Sequence, residues 1–361
     1  MKINILTNHS APNSRAFNTP LVICRDRLKE AGNSLAFFTE PNGAFFSADI
    51  LFINSNFFRT WWGERKDEIF EFLEHANGNG RKVFWFDTTD STWVTQFEVL
   101  PYVDKFLKSH VFKNRKLYLN NFRTGRIFTD YFDELYNAGE KEENYPCVQL
   151  EEHLAKIAVS WTPCFERYDE NRYSFSSKLR NLTAPYLLNI RNEKLELSFT
   201  PPDKKRSTPV SARFGLSHSR PSVVAHRKAV AGLLEKREVD TSRIALPAYF
   251  AEMRNSRISV SPFGVGEFCY RDYESIICGA TLLKPDMSHL ETWPDLYQDN
   301  KTCIFHKWDL SDFDEKIDFL LENNDKRLEI ASNAQNLYKK TLSPEGIQQF
   351  AERLIQITGE F

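Results

Sequence analysis

Charge of either sign is nearly absent as a net quantity. In 361 residues, 47 Lys and Arg stand against 49 Asp and Glu, a balance of −2 at neutral pH. A chain without a global field is not drawn to duplex nucleic acid or to an anionic lipid surface, so its ligands must be captured locally. Long apolar runs are missing too, and nothing approaches the ~20 residues of a membrane span. The opening residues, MKINILTNHS, hold one Lys and a short β-like run and do not read as a signal peptide. A cytoplasmic chain is expected, at most peripheral to the inner membrane. The six cysteines are scattered, with no C-x-x-C, which argues for reduced, mostly buried thiols rather than disulfides or a zinc site. Also lacking are H-E-x-x-H, a D-x-D at a strand end, a P-loop, G-x-G-x-x-G after the first strand and G-x-S-x-G. These absences set aside the corresponding metal, nucleotide and hydrolase motifs. No metal and no cofactor are expected.

What the chain does have is 30 Phe, many in its first half. They read as core and interdomain packing, with binding of an apolar ligand as the alternative. That half alternates strand and helix signals: strands at 2–6, 34–39, 50–54 and 82–86, helices at 21–31 and 65–76. Short apolar strands separated by helices indicate βαβ units and a mainly parallel sheet. Residues 87–202 are less regular, with a strand at 155–160 and a helix at 173–182. A Pro- and charge-rich stretch, TPPDKKRSTP, then reads as a linker. After it the alternation restarts. Strands are expected at 210–214, 244–246, 258–261, 281–284 and 303–305; helices at 222–236, 248–254, 272–278, 312–322 and 326–340; and a last amphipathic helix at 344–358. The fold class is α/β, with two doubly wound, Rossmann-like domains facing a cleft. The expected divisions are 1–200, a linker at 201–209, 210–342, and a closing helix at 343–361 that packs back on the first domain.

Residues 261–284, SPFGVGEFCYRDYESIICGATLLK, run strand, glycine loop, helix, small-residue turn, strand. Gly264 and Gly266 let backbone approach a ligand, and the N–H groups of the following helix favour phosphate. Arg271 offers a fork suited to a diphosphate, and Glu274, one turn on, a carboxylate suited to ribose hydroxyls. The same spacing also describes an ordinary i,i+3 surface ion pair.

The segment resembles the donor-binding signature of GT-B glycosyltransferases, especially bacterial group-1-like and exostosin-like enzymes. Their pattern is S-P-x-G at a strand end, a loop, R-x-Y-E, a few apolar residues and G-A or G-C before an apolar strand. Here Ser261, Pro262, Gly264, Arg271, Tyr273, Glu274, Gly279 and Ala280 supply it in order. Residues 308–320 and 324–333 resemble the helices that close that family's C-terminal domain. The likeness is good over about 213–340 and weaker before 200.

The resemblance implies a metal-independent glycosyltransferase with its nucleotide-sugar donor in the C-terminal half. Glu274 would bind ribose; Arg271 and the backbone at Gly264 and Gly266 would bind diphosphate. The retaining enzymes' E-x7-E would put its first Glu at 266, which is Gly266. Glu267 stands one residue off and is kept as a donor-side candidate, while the stereochemical outcome is left open. The loop at 213–220 adds Arg213 and Arg220 as phosphate contacts, in a stretch (204–243) holding ten Lys/Arg against three Asp/Glu. The alternative is a solvated basic face, and the cluster at 204–206 is expected to face solvent. In the loop at 286–297, Asp286 and His289 would touch the donor sugar, or the loop simply packs.

An acceptor base, needed for transfer to a hydroxyl, has three candidates after N-terminal strands: His9, Asp87 and Asp90. Asp90 also fits a cap or turn. The expected reaction moves a sugar to a glycan or lipid-linked saccharide, as in surface polysaccharide assembly. The alternatives are a phage-type DNA-base glucosyltransferase, a non-catalytic nucleotide-sugar-binding module and a GT-B-like epimerase. No nucleic-acid partner is expected, because duplex binding needs a basic groove.

Overall fold

The structure, a computed structural model, describes every residue except 9, 94, 144, 178, 180–187, 191–194, 360 and 361. Six parallel strands form the first sheet: β1 (Lys2–Leu6), β2 (Ser34–Phe38), β3 (Ile50–Asn54), β4 (Lys82–Asp87), β5 (Lys105–Lys108) and β7 (Ile157–Val159), in the order β2-β1-β3-β4-β5-β7. Four parallel strands form the second: β8 (Thr208–Ser211), β9 (Ser256–Val260), β10 (Thr281–Pro285) and β12 (Ile304–His306), in the order β12-β10-β9-β8. Two separate parallel sheets with helices between their strands are the two Rossmann-like halves expected from the sequence. β3 and β10 are buried at every residue; β3 accordingly reads as an apolar run, and the one charge in β10, Lys284, is paired with Asp272.

A third, two-stranded sheet joins the halves. β6 (His110–Phe112) pairs antiparallel with β11 (Leu290–Thr292), Leu290 opposite Phe112 and Thr292 opposite His110. One aromatic-rich core accordingly runs from Ile3 to Ile357, while a smaller one (Val210, Val230, Ile258, Ile304, Ile317) belongs to the second sheet alone. The closing helix Pro344–Gly359 reaches back to the first sheet. Its Phe350 ring lies 5.0 Å from Trp161 and 5.2 Å from Phe165, and Arg353 donates to the Val159 carbonyl at 2.9 Å.

Several elements depart from the sequence reading. No strand forms at 244–246; the helix Leu246–Asn255 begins there with proline in its first turn. Pro247 has no N–H to give a ladder and a φ suited to a helix start, so the apolar triplet goes to the helix. The helix expected at 21–31 is two, Pro12–Ile23 and Arg25–Glu30, broken at Cys24. Part of the stretch 173–182 lies outside the described residues. Between 87 and 202 the sequence reading missed β5, β6 and the helix Ile127–Tyr136.

Arg206 does not face solvent: it is buried, and its guanidinium donates to the carbonyls of Pro201, Cys278, Arg254 and Ser256 at 2.8–3.0 Å. Burial lowers its pKa to about 10. A cation satisfied by a ring of carbonyls can be buried where a carboxylate partner is lacking. All six cysteines are free thiols. Among the described residues no helix is long and apolar enough to cross a membrane.

Candidate functional site

The ends of β4 and β9 face each other across a cavity lined from one side by Asn13, Asp87, Asp90 and His110 and from the other by Cys269 and Tyr270. At its edge the two halves touch backbone to backbone. A Cβ added at Gly266 would overlap the Asp90 carbonyl, whereas at Gly264 it would come no nearer than 3.4 Å to Arg227. Gly266 is therefore glycine because another loop passes over it, a reason different from the phosphate approach read in the sequence. Gly266→Ala should splay this contact and destabilise the protein by about 1–3 kcal/mol, as overpacking does, with a urea midpoint shift as the measurement; an unshifted midpoint would disprove the close approach.

Glu267, next along, is buried among groups of the first half. It accepts from the Thr92 N–H at 3.1 Å, the Thr92 hydroxyl, and His110 Nε2 at 3.1 Å. Burial alone would raise its pKa, but the His110 and Thr92 hydrogen bonds outweigh burial and hold the carboxyl at about 2. Because Glu267 is ionised, His110 Nε2 is the donor, leaving Nδ1 to accept from Ser109 Oγ at 2.8 Å. Burial lowers the pKa of His110, opposed by Glu267, so the ring is neutral at pH 7. A neutral imidazole on the cavity wall, oriented by a carboxylate behind it, has the arrangement of a general base.

Asp87 sits beside this pair. Its carboxylate accepts from Lys108 Nζ at 2.9 Å and the Thr89 N–H at 2.8 Å, with both charged side chains buried. Asp90 is exposed and accepts from Asn13 Nδ2 at 2.8 Å. His9 lies outside the described residues.

On the other wall the helix Tyr270–Cys278 is pinned at its start by Asp272, which accepts from the Cys269 N–H at 3.1 Å, Lys284 Nζ at 2.6 Å and Ser261 Oγ at 2.5 Å. It ends at Gly279, whose φ of +72° suits glycine. Glu274, on this helix, is buried; its Oε2 accepts from the Tyr249 hydroxyl at 2.5 Å, and burial raises its pKa against the pull of that bond and of Arg271.

Three guanidiniums collect around the turn at Gly215. Arg227 donates to the Gly215 carbonyl at 2.9 Å and the Phe263 carbonyl at 3.1 Å, and Arg271 to the Arg213 carbonyl at 2.8 Å. The exposed Arg243 packs so closely that a Cβ at Gly215 would stand 2.6 Å from its Nη2. Among the described residues none of the three has a carboxylate partner, and the buried Arg271 Nε makes no hydrogen bond. Burial lowers the pKa of Arg227; Cys269 opposes it, while Arg271 and Arg243 add to it.

The other sequence candidates lie elsewhere. Arg213 is already paired, holding Glu252 at 2.6 Å and Asp240 at 2.6 Å. Arg220 bridges the halves, donating to the Thr124 carbonyl at 3.1 Å and pairing with Glu143. Asp286 accepts from the Ser288 N–H at 2.7 Å and its carbonyl from Trp308 at 2.9 Å. His289 packs 5.3 Å from Trp308, and its carbonyl accepts from the Lys113 N–H at 2.9 Å. Both residues belong to the segment that leads into β11 and the cross-sheet pairing. Sequence reasoning missed His110, Arg227 and Arg243. The one signal for His110 is its place in the apolar run KFLKSHVF at 105–112.

Residues 221–356 match a family described as glycosyl transferase-like. No curated protein is detectably similar in sequence to this chain. Among solved structures, HepE of Anabaena in complex with UDP-glucose is similar over 99% of this chain and 100% of that one, at 12% identity and a TM-score of 0.42. A glycosyltransferase from Rickettsia africae ESF-5 is similar over 100% of this chain and 99% of that one, at 10% and 0.43. Sucrose-phosphate synthase from Thermosynechococcus elongatus is similar over all of both chains, at 12% and 0.42. The family match takes in the helix carrying Arg227, the loop of Gly264 and Gly266, and the helix carrying Arg271 and Glu274, so it is this part of the chain that is similar to glycosyl transferase-like proteins.

Proposed function

We propose that the chain moves a sugar from a nucleoside-diphosphate donor onto a hydroxyl of a glycan or lipid-linked saccharide, as surface polysaccharide assembly requires. The observation that carries this reading is the group of Arg227, Arg243 and Arg271 around Gly215, the first and last anchored by carbonyls and, among the described residues, none of the three in an ion pair. Cations so placed await an anion, and a diphosphate meets several guanidiniums at once. Glu274 then takes a ribose hydroxyl through Oε1, the oxygen that Tyr249 leaves open.

In this reading the acceptor lies in the cavity between the halves. Its hydroxyl oxygen attacks the anomeric carbon, the bond from that carbon to the β-phosphate oxygen breaks, and the acceptor proton passes to His110 Nδ1. Ser109 holds that nitrogen until the acceptor arrives, and Glu267 stabilises the imidazolium that forms. The departing diphosphate is held by the arginines, with preformed charge in the place of a metal ion. Asp87, fixed by Lys108, shapes the cavity floor; Asp90 stands at its mouth to take an acceptor hydroxyl.

Thermal unfolding with UDP, GDP and CMP tests the reading directly, because a ligand held at 100 times its Kd adds about 2.7 kcal/mol of stability. One of these nucleotides should raise the Tm, and EDTA should leave the shift in place. No shift with any of the three would refute a nucleotide donor, and a shift that EDTA removes would refute the metal-free account.

A further inference from the structure

A second cavity opens beside the loop after β4. It shares Asn13, Thr88, Thr89 and Asp90 with the first and adds Ser55, Asn56, Arg59, Gln96 and Arg126. It occupies the carboxyl ends of β3 and β4, where open parallel sheets hold ligands. Arg126 is 6% exposed, and its Nε and Nη1 make no hydrogen bond among the described residues; Glu143 stands 3.8 Å from Nη1. Gln96 Oε1, also buried, makes none. Arg59, exposed on the rim, has no ion-pair partner among the described residues. The first turn of the helix Pro12–Ile23, which brings Asn13, holds no acidic residue. Two guanidiniums thus line a cavity whose one lining carboxylate is Asp90, with Glu143 at 3.8 Å from Arg126 outside the lining. A buried cation without its full set of acceptors is costly unless an anion completes it.

We propose that this cavity binds an oxyanion carried by the acceptor, a phosphate or carboxylate on the saccharide. The inference rests on the transferase reading and narrows its substrate class. Because the two cavities share the loop after β4, an anion held by Arg126 and Arg59 leaves the attached sugar beside His110.

The test is calorimetric titration of the protein saturated with the nucleotide that raises its Tm, so that the donor site is filled. The probes are glucose 6-phosphate, glucuronate and methyl glucoside. At least one anionic sugar should bind 10-fold or more tighter than methyl glucoside, and which one does so distinguishes phosphate from carboxylate. Arg59→Ala, on the surface, and Arg126→Gln should each remove most of that preference while nucleotide affinity stays unchanged. Equal binding of all three sugars overturns the proposal, as does a preference surviving both substitutions. Failure of every nucleotide to shift the Tm would instead strike the transferase reading.

Discussion

Arg227→Ala and Arg271→Ala should each weaken binding of the nucleoside diphosphate by about 10- to 100-fold, the loss expected for one or two hydrogen bonds to a charged group. Both side chains also support backbone: Arg227 holds the carbonyls of Gly215 and Phe263, and Arg271 that of Arg213. A loss of affinity in these variants alone could follow from a loosened loop. Arg243→Ala removes that ambiguity, because Arg243 is exposed and, among the described residues, no hydrogen bond ties it to the fold. It should lose affinity for the diphosphate while keeping affinity for the nucleoside. A further sign is salt dependence, since charge-assisted contacts weaken as ionic strength rises. If isothermal titration finds all three variants binding as tightly as the parent, the arginines around Gly215 are structural and the donor site lies elsewhere.

The second large effect is expected at Glu267. Glu267→Gln keeps the size of the side chain and removes the charge that orients His110, so turnover should fall by about 100-fold or more, within the usual range for lost general-base function. A purely structural Glu267 would move stability but not the pH profile. The carboxylate raises the His110 pKa against burial, so its removal should carry the acid limb of kcat/KM to lower pH. Stability changes in a defined window as well. The folded-state pKa of Glu267 falls from 4.5 to about 2, so its stabilising contribution is complete above about pH 4.5 and is lost as pH falls toward 2. The parent should lose stability between those values more steeply than Glu267→Gln. Parallel acid-unfolding curves, or an unmoved acid limb, would remove Glu267 from the mechanism.

How much of this was legible beforehand depends on the distance between partners. The run from Ser261 to Lys284 could be read as strand, loop, helix and strand because its glycines and apolar spacing lie within a few residues of one another. The first sheet was legible at β1 to β4 for the same reason: each strand is a short apolar run closed by a local break. What could not be read was long-range. Glu267 looked like a donor-side residue one place out of register, and its partner His110 is 157 residues away. Arg213 and Arg227 are alike as letters in a basic stretch. Glu252, 39 positions on, pairs with one, while the other meets only carbonyls. Gly266 was picked out as glycine, but the cause, the Asp90 carbonyl, belongs to the opposite half.

The β6–β11 ladder limits how this molecule can open. Three residue pairs from Phe112 opposite Leu290 to His110 opposite Thr292 stitch the halves at His110 itself, and Arg115 adds an ion pair to Glu291 at 2.6 Å. A free swing about residues 201–209 would tear that seam and expose its amides to water. The latch is doubled on that same side: Glu267, next to Gly266, holds Thr92 and His110 of the other half, so the two sheets are fastened where the cleft is lined rather than left to swing.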